Sequence, residues 1–206
     1  RKTKLNWQQE ILASDITYSS FSAELNAYLI AAADEEVTFT GNRAEVSCVG
    51  LDSVPSKLEA IVKKLAENFI RNSIEHGGAR PEIRLLAGKS DYISINISFQ
   101  EEGDYFVLTA KDDGEGLKID SIFDEAVRLG VVNIDVAEGM SNLKRSKLIF
   151  FQGVSTRDKT NSMAQTDLTL DELRALVKPY AGVFSIQNHV QSSFQISVKI
   201  PKSIIV

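Results

Sequence analysis

Two short stretches constrain this chain more than any other feature. The first is Asn-Phe-Ile-Arg-Asn-Ser-Ile-Glu-His-Gly at residues 68–77, and the second is Lys-Asp-Asp-Gly-Glu-Gly at residues 111–116. Upstream of the first, Leu58, Ile61, Val62, Leu65, Phe69, Ile70 and Ile74 recur at helical spacing. Asp52-Ser53-Val54-Pro55 supplies a start signal and Gly77-Gly78 a stop, so a helix is expected up to about His76. Asn68 and Asn72 are four residues apart and share a face of that helix, with Glu75 and His76 on the following turn. The second stretch is an acidic, glycine-punctuated turn that follows an apolar strand.

The rest of the chain supplies the layers. Trp7, Ile11, Tyr18, Phe21, Leu25 and Tyr28 form one apolar stripe, which reads as helix over residues 5–34. Tyr18-Ser19-Ser20 is a candidate break in it. This helix either packs on its own domain or pairs with a second copy. Residues 37–40 and 44–49 read as short strands, with Gly41-Asn42 as the turn between them. Residues 92–99 alternate apolar and polar, and residues 105–110 form a second strand after Glu102-Gly103-Asp104. Helices are expected over residues 119–129 and 170–180, with a short apolar segment at residues 146–151. Residues 183–187 and 194–200 close the chain as strands, with His189 in the turn between them. Neighbouring strand pairs separated by helices indicate an α+β fold. The expected form is a two-layer α/β sandwich with helices on one face of a mixed, largely antiparallel sheet. The expected division is an N-terminal helical segment, 1–34, and a domain over 35–206.

Charge and cysteine content narrow the function classes. The net charge of −5 disfavours nonspecific nucleic-acid binding, which depends on neutralising phosphates. The single cysteine, Cys48, excludes an internal disulfide and fits a reducing cytoplasm; its alternating strand context points to packing. No apolar run reaches the ~18 residues of a membrane span, and no signal peptide is expected. The first residue is Arg, so the expectation is a piece of a longer protein.

The two stretches resemble the asparagine and aspartate boxes of the histidine-kinase and Hsp90-type ATP fold, the Bergerat type. The run Arg71-Asn72-Ser73-Ile74-Glu75-His76-Gly77, then Pro81-Glu82, Arg84 and Ala87-Gly88-Lys89, is more closely similar to CheA-like histidine kinases. Residues 148–156, Leu-Ile-Phe-Phe-Gln-Gly-Val-Ser-Thr, resemble a further segment of that family. The likeness covers roughly residues 20–201. It implies ATP with Mg2+ and transfer of the γ-phosphoryl group to a histidine on another domain or chain. It implies Asn72 as the metal ligand supported by Asn68, since an amide oxygen suits a Mg2+ already shared with phosphates. Glu75 and His76 would flank the γ-phosphate, and Arg71 would meet a phosphate. Asp112 would accept a hydrogen bond from the adenine amine, with Gly114 and Gly116 letting backbone approach the base. Phe150 would pack under a mobile lid, with Ser155 and Thr156 at its hinge. Neither His76 nor His189 has the context of a phosphoacceptor, so the partner is a phosphoacceptor histidine domain or a receiver domain.

One box departs from the family pattern. The lid should carry Gly-x-Gly-x-Gly, whose backbone N–H groups wrap a triphosphate. The corresponding residues are Gln165-Thr166-Asp167-Leu168-Thr169, without glycine, and Thr169 with Glu172 instead makes a capping box. Residues 157–168 are expected to be mobile or atypically folded. This departure carries the alternative reading, a kinase-like module that docks a signalling partner with weak or no turnover. A serine kinase opposing a sigma factor is a third, weaker reading.

Overall fold

The computed structural model describes residues 5–77, 79–133, 139–151, 154, 170–189 and 192–205, with the side chains of residues 5–21 outside that description. In chain order the elements are α1 (Leu5–Thr40), β1 (Ala44–Val49), α2 (Glu59–Asn72), a π-helical turn (Ser73–Gly77) and α3 (Pro81–Leu86). They continue with β2 (Ile93–Glu102), β3 (Tyr105–Asp112), α4 (Ile119–Arg128), α5 (Asn142–Ser146), α6 (Leu170–Val177), β4 (Val183–His189) and β5 (Ser193–Pro201). None of the described helices is long and apolar enough to cross a membrane.

The strands form one five-stranded sheet in the order β1-β2-β3-β5-β4. β1 runs parallel to β2, and the other pairings are antiparallel. The α+β sandwich expected from the sequence is thus present. The alternation of β2 decides which face is which. Ile93, Ile95, Ile97 and Phe99 are buried and contribute to the main core. Asn96 on the opposite face donates from Nδ2 to Ser47 Oγ on β1 at 2.9 Å, and Thr109 and Ser197 pair their hydroxyls at 3.0 Å across β3 and β5. One face is therefore apolar and covered, and the other is polar. Cys48 points to the covered side, where burial pushes its thiol up to about 11 and leaves it a packing residue.

α1 and α2 cover the apolar face. Leu25, Leu29 and Ala33 of α1 lie in the same core as Val62, Leu65, Phe69 and Ile70 of α2. Each fully buried leucine contributes about 1.5–3 kcal/mol. α1 is thus packed on its own domain over this region, and the expected division at residue 34 falls inside it.

Two local expectations about α1 are corrected. The helix continues without interruption through Tyr18-Ser19-Ser20. A serine costs only ~0.5 kcal/mol of helix propensity, too little to break an element anchored by tertiary packing. Residues 37–40, expected as a strand, form its last turn. There Thr38 and Thr40 donate their hydroxyls to the carbonyls of Asp34 and Glu36, both at 2.8 Å. Val37 packs on the core. These gains outweigh a β-branched penalty below ~1 kcal/mol per residue. Gly41 then stops the helix, with φ +72° and its N–H donating to Val37 O at 2.9 Å. The glycine is a left-handed helix cap rather than half of a hairpin turn.

Smaller differences lie elsewhere. The short apolar segment at residues 146–151 is the end of α5 and a 3-10 turn over Lys147–Phe150. His189 closes β4, paired with Ser193, rather than sitting in the turn.

Candidate nucleotide site

The end of α2 and the end of β3 meet, and sheet parity is the reason. Phe106, Leu108, Ala110 and Asp112 alternate along β3, all buried, so Asp112 shares the face that the helices cover. Its side chain, on a residue only 4% exposed, enters the helix layer beside the π-helical turn. There Ser73 donates from Oγ to Asp112 Oδ2 at 2.8 Å, and the Gly114 N–H donates to Oδ1 at 2.9 Å. Burial pushes the Asp112 carboxyl above its ordinary 3.8; the two hydrogen bonds and Lys89 work against that rise, while the Asp113 charge adds to it.

Glycine is required at Gly114, where the two segments touch. A Cβ on Gly114 would lie 2.5 Å from Gly77 O and 2.8 Å from Asp112 Oδ1. A Cβ on Gly77 would meet only the Ile93 Cδ1 methyl at 3.2 Å and the same carboxylate oxygen at 3.4 Å, a close fit rather than a clash. Gly116 is left-handed at φ +74°, and a side chain there would run into Asn188 Oδ1 at 2.6 Å. Asn188 uses that oxygen to accept the Leu117 N–H at 2.7 Å and returns a donor to Leu117 O at 3.3 Å, so β4 holds the far end of the loop.

The asparagines sit where the helix pattern puts them. Asn68 falls in the buried stripe with Ile61 and Leu65 and is 2% exposed. Asn72 donates from Nδ2 to Asn68 Oδ1 at 2.6 Å. This bond turns the Asn72 amide oxygen away from Asn68. Beyond Asn72 the α-helix opens into the five-residue π-helical turn Ser73–Gly77. Such turns are frequent at functional sites, because the wider loop re-aims side chains. Asn42 secures it by donating from Nδ2 to Ile74 O at 2.8 Å. Glu75 Oε2 and His76 Nε2 lie 3.5 Å apart, both partly exposed.

Arg71 faces the neighbouring helix. Its guanidinium is directed at α1, at 2.8 Å from Glu35 Oε2 and 3.1 Å from Glu36 Oε2, with Glu67 Oε1 at 3.5 Å. Carboxylates from both helices hold it, so it joins α1 to α2. Phe150 is buried in the core against the Phe184 ring, at 5.5 Å between centroids. Phe151 beside it is exposed. Ser155, Thr156, the expected mobile segment 157–168 and the glycine-free stretch 165–169 lie outside the described residues.

Two residues in contact with the loop had no assigned role in the sequence. Arg84 and Lys89, from α3 and the turn after it, bind Asp113 and Gly114. Their only signal was membership of the Pro-Glu, Arg, Ala-Gly-Lys run. Among the described residues, no group of three or more His, Cys, Asp or Glu side chains could hold a metal ion.

A mixed five-stranded sheet under α1 and α2 is the architecture of histidine-kinase catalytic domains. The catalytic domain of the histidine kinase ThkA, in a nucleotide-free form, superposes with a TM-score of 0.50 at 13% identity, over 87% of this chain and 91% of that one. At that identity the likeness establishes the fold.

The sequence relatives include CheA-type histidine kinases. The chemotaxis protein CheA of Listeria monocytogenes is 25% identical over 170 residues, 80% of this chain and 27% of its own length. CheA of Salmonella typhimurium is 28% identical over 163 residues, 78% of this chain and 24% of its own. The sensor histidine kinase CheAY of Helicobacter pylori is 28% identical over 146 residues, 69% of this chain and 18% of its own. The chain therefore spans about a quarter or less of the length of these curated relatives. No family model matches it.

Proposed function

We propose that the chain is the ATP-binding catalytic domain of a CheA-like histidine kinase, which transfers the ATP γ-phosphoryl group to a histidine on another domain or chain in a phosphorelay. The kinase relatives support a kinase-type function in general. The observation that carries the finer reading is the buried Asp112 carboxylate, oriented by Ser73 and Gly114 where the turn after α2 meets a glycine-dependent loop. A carboxylate so placed is an acceptor for an exocyclic amine, and the glycines let backbone come close to a flat base.

The donor set fits the group. Asp112, Gly114 and Gly116 would take adenine, and Asn72, oriented by Asn68, would offer its oxygen to a Mg2+ carried by the phosphates. Glu75 and His76, on the turn that follows, would flank the transferred phosphoryl group. Bound Mg2+ would neutralise phosphate charge; this chain's part is positioning and electrostatic stabilisation. The partner is a phosphoacceptor histidine domain, or a receiver domain downstream. A homodimer through the N-terminal part of α1 belongs to the same proposal; its support is the stripe Trp7, Ile11, Tyr18 and Phe21, which continues past the buried Leu25.

The glycine-free stretch at residues 165–169 favours a second reading, a docking module with weak or no turnover. Incubation with γ-labelled ATP, Mg2+ and a histidine phosphotransfer domain separates the two. The kinase reading predicts acid-labile label on the partner, abolished by Asn72→Ala. Binding of the partner without any label on it supports the docking reading.

A further inference from the structure

We propose that Arg84 and Lys89 are positioning residues for base recognition, holding the peptide between Asp113 and Gly114 so that the Asp112 carboxylate keeps its aim. The inference rests on the nucleotide reading above and adds to it two residues that touch neither base nor phosphate in that reading.

One peptide plane carries the argument. The carbonyl of Asp113 and the N–H of Gly114 belong to the same rigid unit. Lys89 Nζ donates to Asp113 O at 2.6 Å, and the Gly114 N–H donates to Asp112 Oδ1 at 2.9 Å. Rotation of that plane breaks both bonds at once. Lys89 also donates to Gly114 O at 2.9 Å and reaches Ser192 O at 3.4 Å. The ammonium thus fixes two successive peptides and ties them to the turn before β5. Its three donors match three carbonyls.

Arg84 holds the same loop through the neighbouring side chain. Its Nη2 donates to Asp113 Oδ2 at 2.8 Å while the Ser94 N–H donates to Oδ1 at 2.9 Å. Its Nε donates to Ser90 O at 2.9 Å. Asp113 is therefore gripped from α3 and from β2, and the residue before the Gly114 turn cannot swing.

The packing of α3 points the same way. Arg84 is the buried residue of this six-residue helix, at 3% exposure. Ile83, Leu85 and Leu86 are 53%, 59% and 89% exposed. The helix is anchored by a charged side chain rather than by its apolar ones. That is the reverse of ordinary helix packing, and it makes sense if the element exists to deliver a cation to the loop.

The test compares ADP with GDP by calorimetry on the chain and its Lys89→Met and Arg84→Met variants, with thermal unfolding measured in parallel. Guanine presents a carbonyl where adenine presents the amine, so the ratio of the two affinities reports the aim of Asp112. Positions of reacting or recognising groups are sensitive to shifts near 1 Å, which can cost about 10²-fold. Lys89→Met should weaken ADP on the order of 10- to 100-fold and lower the ADP-to-GDP ratio toward that of Asp112→Asn, while the protein remains folded. A purely structural role would lower the unfolding midpoint and leave the ratio for the folded protein unchanged; that result overturns the inference. Arg84→Met should act in the same direction, and if it does not fold, Lys89→Met decides alone. Wild-type protein that binds neither nucleotide overturns the nucleotide reading itself, and this inference with it.

Discussion

Gly114→Ala probes the junction at its tightest point. The added Cβ would stand 2.5 Å from Gly77 O and 2.8 Å from both Gly77 Cα and Asp112 Oδ1. Two of these three neighbours are backbone, so no flexible side chain can give way. Ordinary contact begins at 3.4 Å, and reaching it from 2.5 Å requires about 0.9 Å of backbone movement. That movement carries the Gly114 N–H away from Asp112, whose bond is 2.9 Å. Overpacking of this kind costs about 1–3 kcal/mol, offset by roughly 0.4–1 kcal/mol from the stiffer unfolded chain. The expected net loss is about 1–2 kcal/mol in urea unfolding. ADP affinity should fall by about 10²-fold, because the carboxylate loses its aim. Gly103→Ala is the control. It sits between β2 and β3 at φ +55° with nothing within 4 Å of its Cβ, so it should cost about 1–2 kcal/mol of backbone strain and leave ADP binding unchanged. If Gly114→Ala unfolds like wild type and binds ADP as well, the close approach of the two segments has no part in recognition.

Further expectations concern charge. Burial holds Asp112 above its ordinary 3.8, so the fold favours its protonated form. Its contribution to stability is complete below 3.8 and is lost as pH rises through the raised value. ADP binding has the opposite sign, since the acceptor is the carboxylate: affinity should fall as pH drops through that raised value, a trend that calorimetry from neutral to acidic pH would check. Asp112→Asn should leave stability at pH 7 unchanged or higher while costing at least 10- to 100-fold in ADP affinity, the value of a hydrogen bond to a charged group. Arg71→Met should destabilise by about 3 kcal/mol in urea unfolding, because it removes the cation beside Glu36, whose side chain is 5% exposed. The double variant Arg71→Met with Glu36→Gln should recover part of that loss.

What the sequence disclosed, and what it did not, follows from the range of each interaction. The β2 alternation displayed the covered face directly, and the same parity placed Asp112 toward the helices. Asn68 and Asn72 were legible because helical spacing is local, and their bond spans one turn. The ion pairs of Arg71 were not legible because its carboxylate partners Glu35 and Glu36 lie on a different helix, which sequence spacing does not reveal. The last turn of α1 was misread because Val-Thr-Phe-Thr carries strand propensity, and only contacts to the core and the cap at Gly41 override it. The grip of Lys89 was illegible for a deeper reason. It binds backbone carbonyls of Asp113, Gly114 and Ser192, and such acceptors leave no mark in residue identity.

The central claim is that one adenine nucleotide sits between the turn after α2 and the loop after β3. Amide chemical-shift mapping of the 15N-labelled chain during titration with ADP and Mg2+ tests it most directly. The account predicts saturable shifts centred on Ser73, Gly77, Asp112, Gly114 and Gly116, with smaller ones at Asn72 and Leu117, and their loss in Asp112→Asn. Saturable shifts centred on the polar face of the sheet, around Asn96, Thr109 and Ser197, or no shifts at millimolar ADP, would contradict it.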